Sequence, residues 1–138
     1  MTQATIEPLT EARLDGLIAL VAAEGWVEYA DDAERTYRAL TAPGVTTLVA
    51  VVREQVAGAI QVQSDGLIQA HVSMLLIGQD WRGAGLGSTL LREGLERAGG
   101  LQLDVRTRTE GYYERLGASR SLGFRLTRDN LGLRGVDV

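Results

Sequence analysis

A glycine-rich turn is the part of this sequence whose residue types and spacing are best suited to bind a ligand. It runs from Gln79 to Ser88, contains Gly83, Gly85 and Gly87, and leads directly into a leucine-rich segment. Glycines at the N-terminus of a helix leave backbone N–H groups uncovered, with the positive end of the helix dipole behind them. Such a turn can bind phosphate. The alternative is that the glycines only permit a tight turn and close packing of helix against strand.

Arg82 opens this turn and favours the phosphate-binding interpretation. Its guanidinium group is a charged, forked donor that holds a phosphate more firmly than backbone amides alone. The glycine spacing, G-x-G-x-G, differs from the dinucleotide-binding fingerprint. All 14 basic residues are arginines, so the chain has no lysine for a Walker-type phosphate loop or for Schiff-base chemistry.

The composition limits the other kinds of chemistry. The 138 residues match one globular domain, so we expect a single domain. With no cysteine and one histidine, the sequence offers no thiolate nucleophile and no metal site of cysteines or paired histidines, and we expect no metal. The net charge of −4 argues against nucleic acid and anionic membranes as partners. No signal-peptide pattern and no run of 18 apolar residues is present, which predicts a cytoplasmic protein.

The segments ahead of the turn predict strands and helices in a mixed order. Thr5–Leu9 reads as a short strand, and apolar residues recur at helical spacing after Thr10. A second helix is expected from about Asp32 until Pro43, with an acidic loop between the two helices. From Thr46 onward, three runs rich in β-branched residues are separated by short breaks, which predicts an antiparallel meander.

The segments after the turn complete a strand–helix–strand unit. The helix is expected to open at about Gly85 and to end at Gly99, and Leu101–Val105 alternates as a strand does. A short helix over Glu110–Leu116 and then strand and loop are expected. A meander followed by this unit predicts a mixed sheet covered by helices, with a ligand at the strand-to-helix turn. One face of the main helix is predicted to be formed by Leu86, Leu90, Leu91, Leu95 and Ala98.

Two blocks of sequence resemble the GNAT superfamily of N-acetyltransferases. Residues 82–87, Arg-Gly-Ala-Gly-Leu-Gly, resemble its (Arg/Gln)-x-x-Gly-x-(Gly/Ala) loop. Residues 112–117, Tyr-Tyr-Glu-Arg-Leu-Gly, resemble its aromatic-Tyr-Glu-(Lys/Arg)-Leu-Gly segment, and the whole resemblance covers about residues 46–117. It implies the family's α/β fold, a mainly antiparallel mixed sheet with a central splayed parallel pair of strands and flanking helices.

The resemblance implies one N-acetyltransferase domain over residues 1–138, with acetyl-CoA as the acyl donor. Its pyrophosphate would lie on the amides of the turn, and its pantetheine arm along the backbone of the preceding strand. Residues 1–81 carry a net charge of −7 and residues 82–138 of +3, so the basic half would hold the polyphosphate. Arg106 or Arg108 would contact the 3′-phosphate, unless both are solvated surface charges. The implied donor-binding residues are Leu75, Leu76, Ile77, Arg82, Gly83, Ala84, Gly85, Leu86, Gly87 and Ser88.

The resemblance also implies direct attack of an amine on the thioester, with no covalent enzyme intermediate. Backbone N–H groups near Leu75–Ile77 would stabilise the oxyanion. Tyr113 aligns with the tyrosine that often protonates the leaving thiolate in this family. Tyr112 is a weaker candidate for that role. The alternative for Tyr113 is a structural role in the core or at an interface. His71 lies eleven residues ahead of Arg82, where histone-acetylating members place a general-base glutamate. The alternatives are a histidine on the opposite sheet face and ordered water as the base.

The acidic loop between the first two helices is the predicted acceptor side. Residues 24–34 hold five carboxylates and no arginine, with two aromatic residues among them, a composition that suits a cation. We expect Glu24, Trp26 and Glu28 to bind the acceptor, a small-molecule or peptide amine, with diamines or polyamines preferred. The alternative is that the later acids stabilise the start of the second helix. The sequence leaves open the amine's identity and whether the chain is a monomer or a homodimer.

Two other functions stay open on the sequence. One is a non-catalytic CoA-binding regulatory module, against which Tyr113 and His71 argue. The other is a phosphate-binding α/β domain with an unrelated ligand. Release of free CoA in the presence of an amine would indicate an enzyme rather than a regulatory module. Binding of acetyl-CoA would exclude a phosphate-binding domain with an unrelated ligand.

Overall fold

All five strands of the structure lie in one mixed sheet. The structure, a computed structural model, describes residues 3–107 and 109–134, with Glu110 described by its backbone alone. The chain divides into two units, Met1–Val105 and Arg106–Val138, and the sheet belongs to the first. The strands are β1 (Thr5–Pro8), β2 (Val45–Val52), β3 (Gln55–Ser64), β4 (Gln69–Ile77) and β5 (Gln102–Val105), and they are neighbours in that order.

The helices of the first unit confirm most of the sequence prediction. The α1 helix begins after Thr10, the α3 helix begins after Asp32, and the α4 helix begins after Gly85. The side chain of Asp32 accepts a hydrogen bond from the backbone nitrogen of Arg35, which explains the start of α3. The prediction of an acidic loop was wrong in part, because a one-turn helix lies within it. The four helices are α1 (Glu11–Ala23), α2 (Val27–Ala30), α3 (Ala33–Leu40) and α4 (Leu86–Ala98).

The two faces of the sheet are covered by different helices. On one face, which we call the α1 face, buried residues of α1 and α3 pack against strand residues that include Val49, Ala59, Met74 and Leu76. On the other face, the α4 face, Gly94 lets the helix approach β3, since a Cβ added there would lie 3.2 Å from Ile60 and Val62 side-chain atoms. The sheet therefore separates α1, α2 and α3 from α4.

The antiparallel meander of β2, β3 and β4 is confirmed and contains one irregularity near the predicted site. Gln61 pairs with Met74, but Val62 pairs with Val72, so Ser73 is an extra residue in β4. A bulge of this kind reverses the alternation of side chains along the strand. As a result, Met74 lies on the α1 face, and Val72 lies on the α4 face beside Val62.

The parallel pair of β4 and β5 is short. It begins at Gln69 opposite Gln102 and ends at Val72 opposite Val105, although β4 continues to Ile77. The predicted mixed sheet, antiparallel with one parallel pair of strands, is thus confirmed. Within residues 3–107 and 109–134 the pair stands at the edge of the sheet, because the residues after β5 add no strand to it.

The second unit holds the α5 helix (Glu110–Arg115) and a 3-10 turn at Asp129–Leu131. The short helix is confirmed. The strands expected after it were wrong for the described residues up to Arg134, which form no further strand. A strand requires a neighbouring strand to pair with, and the strand pairings of the described residues involve none after Val105. The prediction of one domain over residues 1–138 stays a prediction.

Candidate functional site

The glycine-rich turn has the open backbone that the sequence predicts. Gly83 and Gly85 adopt φ angles of +84° and +83°, a conformation that glycine accepts without strain. A Cβ atom added at either residue would meet nothing within 4 Å. These glycines are therefore required by the backbone conformation rather than by close packing, and space remains above the turn for a ligand.

The turn ends at the N-terminus of α4, where backbone donors are available. The first N–H groups of a helix have no acceptor within it, and here the first return bond is donated by Thr89 to the oxygen of Gly85. No side chain caps this end, and its first turn has no acidic residue. The positive end of the helix is thus left without a compensating charge of its own, which favours an anion.

The outer edge of β4 lies beside this turn. Beyond Val72 the strand has no partner on its β5 side within the first unit, so residues 73–77 present a row of backbone groups. An extended ligand can hydrogen-bond to such an edge as an added strand does. The predicted donor residues Leu75, Leu76 and Ile77 form this edge, and the chain joins them to the turn through a 3-10 turn at Gln79–Trp81.

Arg82 and Glu24, which the sequence analysis assigned to different ligands, form an ion pair. The Nη2 atom of Arg82 donates to Glu24 Oε2 at 2.8 Å, and its Nε donates to the backbone oxygen of Ile77 at 3.0 Å. The side chains are 52% and 22% exposed, respectively. The carboxylate expected to face an acceptor cation is therefore already paired with the arginine of the turn.

The other two predicted acceptor residues lie on and before α2. Trp26 precedes the helix and packs, half-buried, against the core of the α1 face, with its ring 5.8 Å from that of Tyr29. Glu28 is exposed. The Tyr29 hydroxyl donates to Oε1 of the buried Gln61 at 2.8 Å, which ties α2 to β3.

His71 lies on the α1 face because of the bulge. It pairs with Gln63 of β3 and with Asp104 of β5, and cross-strand partners share a face. Without the extra residue at Ser73 it would lie on the α4 face instead. The side chain is exposed, so it is open to an acceptor that approaches the face on which Trp26 packs.

Tyr113, the predicted proton donor, belongs to the second unit. It lies on α5 and is half-buried, and its ring contacts that of Tyr112 edge-on at 5.0 Å. Burial first, and the neighbouring Tyr112 second, raise the pKa of Tyr113 above its ordinary value. The phenol therefore keeps its proton at neutral pH, as an acid must. Of the two arginines considered for the 3′-phosphate, Arg106 is exposed and Arg108 lies outside the described residues.

Sequence reasoning missed a group of polar residues on the α1 face. They are Gln61, which is 4% exposed, and Gln63, which hydrogen-bonds to Ser73 at the bulge, both near His71 in the strand register. Alternating glutamines in an otherwise apolar strand were the available signal.

The comparison with known families decides the class of protein. Residues 9–132 match the family model of the GNAT acetyltransferase domain. The chain belongs to the GNAT acetyltransferase family. This confirms the family predicted from residues 82–87 and 112–117 and makes the protein an acetyltransferase in general terms. No curated protein matches the chain in sequence.

Solved structures of acetyltransferases share the fold. A candidate acetyltransferase from Deinococcus radiodurans R1 is 27% identical with a TM-score of 0.70, over 97% of this chain and 95% of that one. A ribosomal-protein-alanine N-acetyltransferase from Brucella melitensis biovar Abortus 2308 is 19% identical with a TM-score of 0.71, over 91% and 99%. A GNAT N-acetyltransferase from Escherichia coli, solved in complex with CoA, is 23% identical with a TM-score of 0.65, over 85% and 69%. The last two show the fold alone.

Two further features of this GNAT domain concern metals and membranes. Among the described residues, no three histidine, aspartate or glutamate side chains are grouped so as to hold a metal ion. Of the helices in the described ranges, none has both the length and the apolar character that a membrane span needs.

Proposed function

We propose that this GNAT protein transfers an acetyl group from acetyl-CoA to a primary amine by direct attack. The observation that carries the proposal is the open glycine turn at the uncapped start of α4, joined to the unpaired edge of β4. This arrangement places an anion site next to an extended hydrogen-bonding edge. A pyrophosphate needs the first and a pantetheine arm needs the second.

The residues of the turn and of β4 fit the donor. The backbone amides of the turn, with the first amides of α4, would hold the pyrophosphate. Arg82 would add a positive charge where the turn begins. The backbone of Leu75–Ile77 would hydrogen-bond to the pantetheine arm. When bound, the donor supplies the thioester whose acetyl carbon the amine attacks. A backbone N–H of the same edge would stabilise the negative charge that develops on the carbonyl oxygen.

The acceptor amine must lose a proton before it can attack. An aliphatic amine has a pKa near 10.4, so its neutral form costs roughly 4 to 5 kcal/mol at pH 7. His71 is the proposed base, either directly or through a water molecule, because it is exposed on the α1 face and its imidazole can accept a proton. The base takes this first proton before the attack. After the C–N bond has formed, the nitrogen loses a second proton to solvent as the C–S bond breaks and the sulfur departs.

Tyr113 is the proposed acid for the departing sulfur. Burial raises the pKa of Tyr113, so the phenol stays protonated and can donate a hydrogen bond to the departing sulfur. Because the phenol is a weaker acid than a thiol, whose ordinary pKa is about 8.5, full transfer of its proton to the sulfur is completed only as solvent returns a proton to the tyrosine.

The proposed acceptor is a cationic amine recognised from the α1 face. Trp26 offers an aromatic face and Glu28 an exposed carboxylate, a pairing suited to a diamine or polyamine. Because Glu24 is paired with Arg82, its negative charge is balanced and contributes less to this recognition than the sequence predicts.

An assay for free CoA tests the proposed reaction. Acetyl-CoA is incubated with the protein and a panel of amines, comprising polyamines, aminoglycosides, peptides and amino acids, and the thiol is detected colorimetrically. We expect CoA to be released only when both the protein and one class of amine are present. Mass spectrometry should then detect one acetyl group on the amine for each CoA formed. Binding of acetyl-CoA without amine-dependent release would instead indicate a non-catalytic CoA-binding module.

A further inference from the structure

We propose that Glu24 is a positioning residue for the acyl donor, acting through Arg82, rather than a ligand of the acceptor. The inference rests on the proposed function, since it assumes that the turn opened by Arg82 holds the pyrophosphate. Its basis is the ion pair of 2.8 Å between the two side chains, which are 58 residues apart in the sequence. Glu24 thereby connects the end of α1 to the donor site.

Glu24 is held firmly at the end of α1. Its backbone nitrogen donates to the oxygen of Leu20, and after it Gly25, with a φ angle of +81°, reverses the chain. Trp26 then donates its backbone N–H to Val21, a pattern that closes the helix. The carboxylate consequently projects from a fixed point of the core, since Val21 is fully buried.

The turn itself has few other restraints. Residues 82–85 are exposed, and Gly83 and Gly85 make no packing contact that a side chain could replace. Ahead of the turn, Gly78 packs closely, because a Cβ added there would lie 3.0 Å from Trp81 and 3.3 Å from Leu20. The chain is therefore held by packing up to Trp81. The next residue, Arg82, is held at the start of the glycine segment by the hydrogen bonds of its side chain to Ile77 and Glu24.

The geometry of the guanidinium group leaves it able to bind an anion while it stays paired. Arginine has five N–H donors in a planar fork. Two of them bond to Ile77 and Glu24, and within the described residues the other three have no acceptor. An arginine fixed in this way loses less conformational entropy when it binds a phosphate than a free one would. Glu24 then strengthens donor binding although its charge has the same sign as the donor.

Because Glu24 and the donor are both negatively charged, a positioning role and the alternative roles of Glu24 predict different effects of its removal. If the carboxylate acted only by its charge, or competed with the pyrophosphate for Arg82, removing it would tighten acetyl-CoA binding. If Glu24 bound the acceptor, removing it would raise the acceptor KM and leave donor affinity unchanged. A positioning role alone predicts weaker donor binding, and it predicts that the effect disappears when Arg82 is absent.

The test is a double-mutant cycle read by calorimetric titration with acetyl-CoA. The variants are Glu24→Ala, Arg82→Ala and the double variant, with Asp15→Ala as the matched control. Asp15 is an exposed carboxylate of the same helix and has no hydrogen bond or ion pair among the described residues. Glu24→Gln keeps an oxygen that can accept from Arg82 and should recover part of the affinity. Thermal melting of each variant confirms that it is folded.

We expect Glu24→Ala to raise the Kd for acetyl-CoA roughly threefold to fivefold, which is the range for a half-exposed ion pair. The same substitution in the Arg82→Ala background should change the Kd by less than about 1.5-fold, and Asp15→Ala should not raise it. Tighter binding by Glu24→Ala, or an equal loss in both backgrounds, overturns the positioning role. So does a changed acceptor KM with an unchanged Kd. If wild-type protein does not bind acetyl-CoA, the proposed function itself fails, which is a separate result.

Discussion

The hydroxyl of Tyr29 donates a hydrogen bond of 2.8 Å to Oε1 of Gln61, which is 4% exposed on the α1 face of the sheet. The backbone oxygen of Tyr29 in turn accepts from the hydroxyl of the buried Thr36 on α3. Through these two bonds one residue of the short α2 helix connects β3 with α3. The position of the proposed acceptor side therefore depends on a buried polar contact, because α2 is too short to be stable alone.

Tyr29→Phe should destabilise the fold by about 1 to 2 kcal/mol, because it leaves a buried amide oxygen without its partner. Chemical denaturation measures this free energy of unfolding. Tyr37→Phe is the matched control, since Tyr37 is also half-buried against the core and its hydroxyl has no hydrogen-bond partner among the described residues. Equal losses in the two variants would show that the Gln61 contact contributes nothing specific.

Much of the fold was predictable because its signals are local. Thr10 and Asp32 mark helix starts by residue type, and the β-branched runs and their short breaks mark the meander. The bulge at Ser73 was not predictable, since it results from the pairing of two strands and leaves no pattern in either one alone. The strands expected after α5 failed for the same reason, because pairing is not a local property.

His71→Gln should lower kcat/KM by about 100-fold or more, the range for general-base catalysis. The expectation follows from the exposure of His71 on the α1 face and from the ability of its imidazole to accept a proton. Ser73→Ala serves as a control, since it changes the same strand without removing a base. If His71→Gln retains the wild-type rate, water or another group is the base.

Tyr113→Phe should lower kcat by about 100-fold while leaving the Kd for acetyl-CoA unchanged. Because burial raises the pKa of Tyr113 above that of an ordinary phenol, wild-type kcat should not decline between pH 7 and 9 through loss of this acid. Tyr112→Phe, which alters the edge-on ring partner, is the control. Comparable losses in both variants would contradict a role that is specific to the hydroxyl of Tyr113.

Glu28→Gln should lower kcat/KM for a polyamine about threefold to tenfold at low salt and have little effect on an amino acid α-amine. An exposed carboxylate attracts a polycation over a distance, and salt screens this attraction. Steady-state kinetics at two ionic strengths check the prediction. A wild-type enzyme without preference for the polyamine, or a Glu28→Gln variant with unchanged rates, would leave α2 as ordinary solvated surface.

The parts of the site that lie within one segment of the chain were predictable from the sequence. The contacts between segments that are distant in the sequence were not. The glycine turn and the β4 edge follow from residues 75–88, which are contiguous. The pairing of Arg82 with Glu24 joins segments 58 residues apart, and no spacing rule connects them. The polar contact of Tyr29 with Gln61 spans 32 residues, and it was missed for the same reason.

The most direct test of the account is a calorimetric titration of acetyl-CoA into wild-type protein, Gly85→Asn and Gly85→Asp. Asparagine and aspartate have the same shape and both tolerate the φ angle of +83° at this position, so the two variants differ in one negative charge at the start of α4. We predict that Gly85→Asp binds acetyl-CoA at least about tenfold more weakly than Gly85→Asn, and that both melt within a few degrees of each other. Equal affinities in the two variants would contradict a pyrophosphate site at this turn.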